Sequence, residues 1–494
     1  MNDFIKRRFK KIKYKHLLKE LKVGLKNLMN SKINFKDLLQ TARIVGELNT
    51  ELTPEIAASL GVAFGTTFTD RGAITVARDF RPECRMLKRA FVAGVMSAGL
   101  NIMDLTAAPI PVLQYAIRRF GTLGGAIFTT HHSIYSDKIE VKLYDRSGIE
   151  YDILKIKELL EICEQGKFRR SKMGDIGTLT QTLEVHELYG RAISHFIDTS
   201  LFKNSDLRIV ADCSNGPMGS IIPSLLSRIG VDIIALNSYT STVRGLPSLS
   251  SLQKLSKVIS STDATFGVCF DVDGSRAIFF DERGTYLSSD TVLTLFVKHQ
   301  LEHKSARIFV TTETTTTILE KLISEYPDKE LFRVKNIPGT VANTMRIRRA
   351  DFGGSDTGKY RFPEYAYFSD TALATLKLLE MIVKSGHSLT ELLSGVPQSI
   401  KTQHELTVPH DLLDNFNEVL EKNLGHLKVI DTIIGLKIFF GPESGWIEVL
   451  PSFHENKLIL RGEIVNPAKG PEMFKTIEYA LEGKITSPIK KSEI

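Results

Sequence analysis

Three short stretches carry side chains able to do chemistry. Asp271-Val272-Asp273-Gly274-Ser275-Arg276 spaces two carboxylates two residues apart after an apolar run. From a turning loop they can converge on one hard cation such as Mg²⁺, with Ser275 as a third, neutral oxygen and Arg276 free to hold phosphate. The same spacing also fits an ordinary acidic turn. Phe128-Thr129-Thr130-His131-His132-Ser133 places two histidines and a serine just past an apolar strand, where α/β folds put their active sites. A histidine there can serve as nucleophile or acid–base, or be a solvated loop residue. Gly353-Gly354-Ser355-Asp356-Thr357-Gly358-Lys359 sets hydroxyls and a lysine on a glycine-rich loop, suited to polyol or phosphate contacts or to a plain surface turn.

These stretches need elements to hold them, and the hydrophobic pattern supplies a set. From about residue 51 helical periods alternate with short β-branched runs, the pattern of α/β layers. Thr53-Pro54-Glu55 predicts a helix start, with a Thr cap, Pro in the first turn and an acid near the positive dipole end. Ala73 to Ala77 predicts a strand, 83–98 a helix, and Ile102 to Leu105 and Gly125 to Thr129 two more strands, the last ending at the histidines. A second unit begins near Glu187. Its strands are Arg208 to Asp212, Val231 to Leu236, and Thr265 to Phe270, which runs into the paired aspartates. A third begins near Asp290, with Arg307 to Val310 as a strand and Gly353, Gly354 and Gly358 on a loop. Beyond about 405, Ile433 to Phe440, Trp446 to Leu450 and Leu458 to Leu460 read as antiparallel strands before a last helix. The divisions are a basic extension over 1–43, α/β units over 44–178, 185–288 and 289–402, and an α+β cap over 405–494.

The chain has 494 residues, 42% hydrophobic and 24% charged, too long for one core and too ordinary in composition to be disordered, collagen-like or coiled-coil in bulk. No run approaches the roughly 18 apolar residues of a membrane span, and no apolar h-region with a cleavage site opens the sequence, so secretion is not expected. Cys84, Cys163, Cys213 and Cys269 lie far apart. Neither a zinc site nor a disulfide framework is suggested, and a reducing, cytoplasmic setting fits. The net charge of +7 is concentrated in residues 1–34, where eleven Lys/Arg stand against Asp3 and Glu20, leaving −2 for the body. A nearly neutral body argues against nucleic-acid binding. The extension recurs in apolar residues at Phe9, Ile12, Leu17, Leu21, Leu25 and Leu28. That permits an amphipathic helix on an anionic membrane surface or a partner, beside the plainer reading of a solvated lead-in. No G-x-G-x-x-G follows a strand, so no dinucleotide site is expected.

The order of the loops is specific. A GRDxR-type element stands at Ala77-Arg78-Asp79-Phe80-Arg81, P-x-P at Pro109-Ile110-Pro111, and a T-x-S-H-N-P-type loop at the histidines. There follow a D-x-D-x-D-R-type loop at Asp271 to Arg276 with the turn Asp281-Glu282-Arg283-Gly284, a G-E-x-S-G-H-type loop at Gly354 to Lys359, and an R-P-S-G-T-E-type loop from Leu450. From about Gly46 to about Glu478 this resembles the α-D-phosphohexomutases, the phosphomannomutase/phosphoglucomutase branch above all. It is also similar to the mutase-like region found behind sugar nucleotidyltransferase domains. The resemblance implies three α/β/α sandwich domains plus a small C-terminal α+β domain around a central cleft, a hexose phosphate as ligand, and Mg²⁺ as cofactor.

Carried over residue by residue, the resemblance shows departures at every working loop. The family's phosphorylated serine falls on His131; His132 is kept, and Ser133-Ile134 replaces Asn-Pro. The metal loop keeps Asp271, Asp273 and Arg276 but has Ser275 for its third aspartate. The sugar loop keeps Gly354 and Gly358, with Ser355 for glutamate, Thr357 for serine and Lys359 for histidine. The phosphate loop keeps Pro451, Ser452 and Glu455, but Leu450, Phe453 and His454 replace arginine, glycine and threonine, so Ser452, His454 and Lys457 are left to hold phosphate. The early G-I-R-G turn keeps Ile44 and Gly46, with Val45 at the arginine, and the acid–base lysine matches Lys142 with one inserted residue. In the family's cycle, as resemblance implies it, phosphoserine donates to one sugar hydroxyl and recovers a phosphate from the other. Without the serine hydroxyl that cycle cannot run, and one carboxylate fewer weakens Mg²⁺ binding. The expectation is a hexose-phosphate protein with mutase activity lost or impaired, acting by sugar-phosphate binding or regulation, with a sugar nucleotidyltransferase as a candidate partner. The alternative is an active intramolecular phosphotransferase with His131 as the nucleophile.

Overall fold

The computed structural model describes residues 35–40, 42–131, 138–203, 206–239, 247–303, 306–397, 399–431, 435–441, 443–452, 457–481 and 487–492. Residues 1–34, the charged part of the basic extension, lie outside them, and with them both of its readings, the solvated lead-in and the amphipathic helix. Among the described residues no helix is long and apolar enough to cross a membrane, and the four cysteines are buried and free.

Four sheets follow one another along the chain. The first has seven strands. Gly124–Thr130 lies at its centre, and next to it Ala73–Arg78 is flanked in parallel by Gly124–Thr130 and Asn101–Ala107. Gly124–Thr130 is buried at every position, as a parallel strand covered on both faces must be. Lys138–Asp145 and then Arg43–Glu47 extend the sheet antiparallel, so residues of these two strands face the same cleft. The helix Pro54–Thr66 starts as its residues dictate: Thr53 Oγ1 accepts Ile56 N at 3.4 Å and Pro54 sits where no N–H is missed.

The second sheet centres on Phe266–Phe270, parallel to Arg208–Asp212 and antiparallel to Ala277–Phe280. The third pairs Ile308–Thr312 with Glu330–Val334 and Phe352–Ser355, both parallel. Here the glycine-rich stretch departs from its reading as a loop. Gly353 and Gly354 lie within the strand Phe352–Ser355, and only Asp356 to Gly358 turn, into the antiparallel strand Lys359–Arg361. Both glycines are imposed by packing: a Cβ on Gly354 would stand 2.3 Å from Leu293 Cδ1, and one on Gly353 2.3 Å from Met345 Sδ. The fourth sheet is antiparallel, built around Gly445–Ser452, Lys457–Ile464 and Ile400–Thr407, and carries the helices His410–Leu424 and Gly470–Ala480.

One continuous hydrophobic core runs through the first three units, from Ala77 to Val396. The C-terminal unit has a core of its own, including Phe416, Ile447 and Phe474. It docks on the third unit through polar groups: Glu463 Oε2 accepts Thr317 N at 2.9 Å, and Lys401 Nζ lies 2.8 Å from Asp290 Oδ2.

Candidate active-site cleft

The GRDxR-type element fixes the end of the histidine strand. Asp79 Oδ2 accepts both Thr130 N and Thr130 Oγ1 at 2.9 Å, and its Oδ1 accepts Arg81 N at 3.0 Å. His131 follows directly, its N–H donating to Lys138 O at 3.0 Å. Burial pushes the His131 imidazole below its ordinary value, with Glu140 opposing and Lys142 and Arg43 adding to the push. His132 and Ser133 lie outside the described residues.

The strand Phe266–Phe270 is wholly buried and delivers Asp271 into a turn closed by its own donors. Asp271 Oδ1 accepts Arg276 N at 3.0 Å, and Oδ2 accepts Ser275 Oγ at 3.3 Å. Asp273 Oδ1 accepts Ser275 N at 3.0 Å. The neighbouring units clamp the turn from outside. Ile110 N, at the P-x-P element, donates to Asp273 O at 2.8 Å, and Thr371 Oγ1 donates to Gly274 O at 2.8 Å. From the first unit Lys142 brings its ammonium to 2.5 Å from Asp273 Oδ2 and 3.5 Å from Glu140 Oε2, all three side chains being buried. Burial works against the ammonium of Lys142, but Asp273 and then Glu140 outweigh it and hold the pKa above the ordinary value. Burial, then the nearby Asp273, push Asp271 up to about 7.

These donors decide how well the loop suits a divalent cation. Each of the four carboxylate oxygens already accepts a hydrogen bond from the chain, and the lysine supplies the positive charge nearest to Asp273. Among the described residues no group of three or more His, Cys, Asp or Glu is arranged to hold a metal. A hard cation is selected chiefly by carboxylate number, and this loop is one short. The residues do not fit a complete Mg²⁺ site.

Beside the loop lies a cavity of about 240 Å³ at the junction of the three α/β units, at the small end of ligand pockets. Ser275 and Arg276 reach it from the second unit, and Ser355, Thr357 and Lys359 from the third. The Ser355 and Thr357 hydroxyls lie 2.8 Å apart. Gly358 makes this turn possible: it takes φ +75°, and a Cβ there would meet Ala277 O at 2.5 Å, because Ala277 N donates to Gly358 O across the two loops. Burial, then Arg43 and Arg276, push Lys359 down to about 7.

Of the residues expected to hold phosphate in the C-terminal loop, His454 and the side chain of Ser452 lie outside the described residues. Lys457 pairs with Glu405 Oε2 at 3.0 Å within its own sheet and does not line the cavity. The structure adds cleft residues that sequence reasoning missed. Arg43 donates Nε to Glu150 Oε1 at 2.7 Å and pairs with Glu140 at 3.1 Å. Arg361 lines the same cavity. Strand alternation was the available signal for Arg43: it lies two residues before Val45 and so shares its face. An arginine one period earlier thus reaches the cleft from a strand whose expected arginine position holds a buried valine.

Known proteins share this architecture. The chain is 29% identical over 463 residues to a phosphoglucomutase/phosphomannomutase of Thermococcus kodakarensis, covering 90% of this chain and 99% of that one. The crystal structure of a phosphoglucomutase/phosphomannomutase family protein of Burkholderia thailandensis superposes with a TM-score of 0.76 at 22% identity, over 92% of this chain and 98% of the other. An Aspergillus fumigatus N-acetylphosphoglucosamine mutase, solved in complex with GlcNAc-6P and magnesium, has the same fold at a TM-score of 0.55 and 12% identity, over 91% and 96% of the two chains. The phosphoglucomutase/phosphomannomutase α/β/α domains I, II and III match residues 36–170, 187–284 and 288–400 in order. Three consecutive domains on three consecutive sheets around one cleft leave a single conclusion: the chain belongs to the phosphoglucomutase/phosphomannomutase family.

Proposed function

We propose that this family member binds hexose phosphates without running the mutase cycle at a significant rate, and acts by binding or regulation. One observation carries the reading. The cleft keeps cations and hydroxyls that suit a sugar phosphate, at Arg276, Ser355, Thr357 and Lys359, whereas the strand end that bears the family's phosphorylated serine bears His131. Any divalent cation at Asp271 and Asp273 would bind more weakly than at three carboxylates. A separately encoded sugar nucleotidyltransferase is the partner to look for by co-purification, and the basic extension is the segment to test on anionic vesicles.

The test has two arms. Isothermal titration with glucose 1-phosphate, glucose 6-phosphate and the mannose equivalents should show binding. A coupled assay interconverting the 1- and 6-phosphates, with hexose bisphosphate and Mg²⁺, should show no turnover above background. Clear turnover overturns the reading.

A second reading rests on His131 at the end of the strand Gly124–Thr130, where burial lowers its pKa and so favours the neutral imidazole that can attack phosphorus. It requires one alkali-stable, acid-labile phosphate on His131 after incubation with a hexose bisphosphate, absent in His131→Ala.

A further inference from the structure

The cavity gathers more basic side chains than its family motifs require. Arg43, Arg276, Lys359 and Arg361 all line it, against the single carboxylate of Glu150. Arg43 has its charge matched: burial works against the guanidinium, but Glu150 and then Glu140 outweigh burial and hold its pKa above the ordinary value. Arg361 does not. Burial pushes its pKa down to about 10 with only Glu150 opposing, and its Nε and Nη1 are buried with no hydrogen-bond acceptor among the described residues, in a three-residue strand paired with Phe352–Ser355. The Nε of Arg276 is likewise buried without a hydrogen bond, 4.0 Å from Asp271 Oδ2. Buried donors left unpaired cost free energy, so folded proteins rarely keep them unless a ligand completes them. The opposite wall has the same polarity. The helix Thr340–Arg348 begins at the cavity through Gly339, and no side chain caps its N-terminus. Thr340 N there donates to Ile337 O at 3.3 Å, and the helix dipole favours an anion at this end. The residues where the chain departs from the family pattern point the same way: carboxylates become Ser275 and Ser355, and histidine becomes Lys359.

We infer that this cavity is a metal-independent site for a dianionic phosphoryl group, held by Arg361 and Arg276 with Lys359 and the Ser355 and Thr357 hydroxyls. The guanidinium donors of Arg361 and Arg276 replace the cation that an incomplete carboxylate loop cannot hold, while Lys142 neutralises Asp273 from within. No bond is made or broken; the step is binding alone. The inference deepens the proposed function by naming where the ligand's phosphate sits, and it also stands for inorganic phosphate by itself.

The experiment uses the full chain and isothermal titration with inorganic phosphate and, separately, glucose 1-phosphate, each in Mg²⁺ and in EDTA. The variants are Arg361→Met and Arg361→Lys. Losing a charge-assisted contact should weaken binding ~10- to 100-fold in Arg361→Met, with Arg361→Lys between it and the parent and EDTA without effect. Removing an unpaired buried cation should leave the melting midpoint of the unliganded protein unchanged or higher, which separates lost binding from lost folding. Arg361-dependent binding of inorganic phosphate without binding of any hexose phosphate would uphold the site and sink the proposed function. Hexose-phosphate binding indifferent to Arg361→Met, binding abolished by EDTA, or no binding of either probe would each overturn the inference.

Discussion

Replacing Lys142 by Met removes the ammonium that sits 2.5 Å from Asp273 Oδ2 and 3.5 Å from Glu140 Oε2 and keeps most of the apolar stem. Breaking a buried ion pair by removing one partner costs about 3–5 kcal/mol, because the other charge stays buried and uncompensated. Glu140 retains Arg43 at 3.1 Å, so the loss falls mainly on Asp273 and the lower end, about 3 kcal/mol, is expected. In Lys142→Met/Asp273→Asn the stranded charge is gone, and much of that loss should return. A chain whose C-terminal unit has a core separate from that of the other three need not unfold as one, so the readout is local. Hydrogen exchange of the strands Lys138–Asp145 and Phe266–Phe270, followed by mass spectrometry, reports the opening free energy where the pair lies. The double variant should be better protected than Lys142→Met, with a coupling of at least about 1.5 kcal/mol. The same freed carboxylate should make Lys142→Met gain protection on adding Mg²⁺, which the parent should not. Additive single losses within about 0.5 kcal/mol would refute the role of lysine as internal counter-ion.

Gly358→Ala places a Cβ 2.5 Å from Ala277 O at φ +75°; a loss of roughly 2 kcal/mol and weaker phosphate binding are expected by denaturation and titration, and an unchanged variant would show that the two loops are not locked together. Lys437 is buried against the Trp446 ring, its ammonium 3.7 Å from the ring centre. Burial first, then Arg333 and Lys401, push its pKa down to about 7. Between pH 7 and the ordinary lysine value only the unfolded chain holds this proton, so stability should rise with pH across that window and lose the trend in Lys437→Met. The chain's only tryptophan is this Trp446, and its fluorescence in urea reads the effect; a midpoint falling from pH 7 to 9 by the same amount in parent and variant would contradict the assignment. Glu463→Gln weakens the acceptor of Thr317 N, 2.9 Å away across the unit boundary. About 1–3 kcal/mol of docking should be lost, seen as faster proteolysis between the third and fourth units.

Much of the framework was legible because its causes are local. The cap and proline at Thr53-Pro54, the strand end before His131 and the buried strand leading into Asp271 each depend on residues within a few positions of one another. The glycine stretch was misread for the same reason. Local propensity assigns Gly353 and Gly354 to a loop, but pairing with Ile308–Thr312 and Lys359–Arg361 makes them a strand, on which Met345 and Leu293 pack at a distance that suits glycine.

The sequence by itself determined which chemical groups are available: a pair of aspartates on a turn, an imidazole where a hydroxyl would be expected, and hydroxyls with a lysine on the third loop. Tertiary structure alone decided how they are used. Lys142 meets Asp273 across 131 residues, and Arg43 meets Glu150 across 107. Hydrogen-bond ladders and caps are set by neighbours in sequence, whereas 64 basic and 57 acidic residues offer far too many pairings for composition to choose among. The choice is made by strand register and by the clamp of Ile110 and Thr371 on the Asp271 turn, which bury some charges together and leave Arg361 lining a cavity with two of its nitrogens unpaired among the described residues.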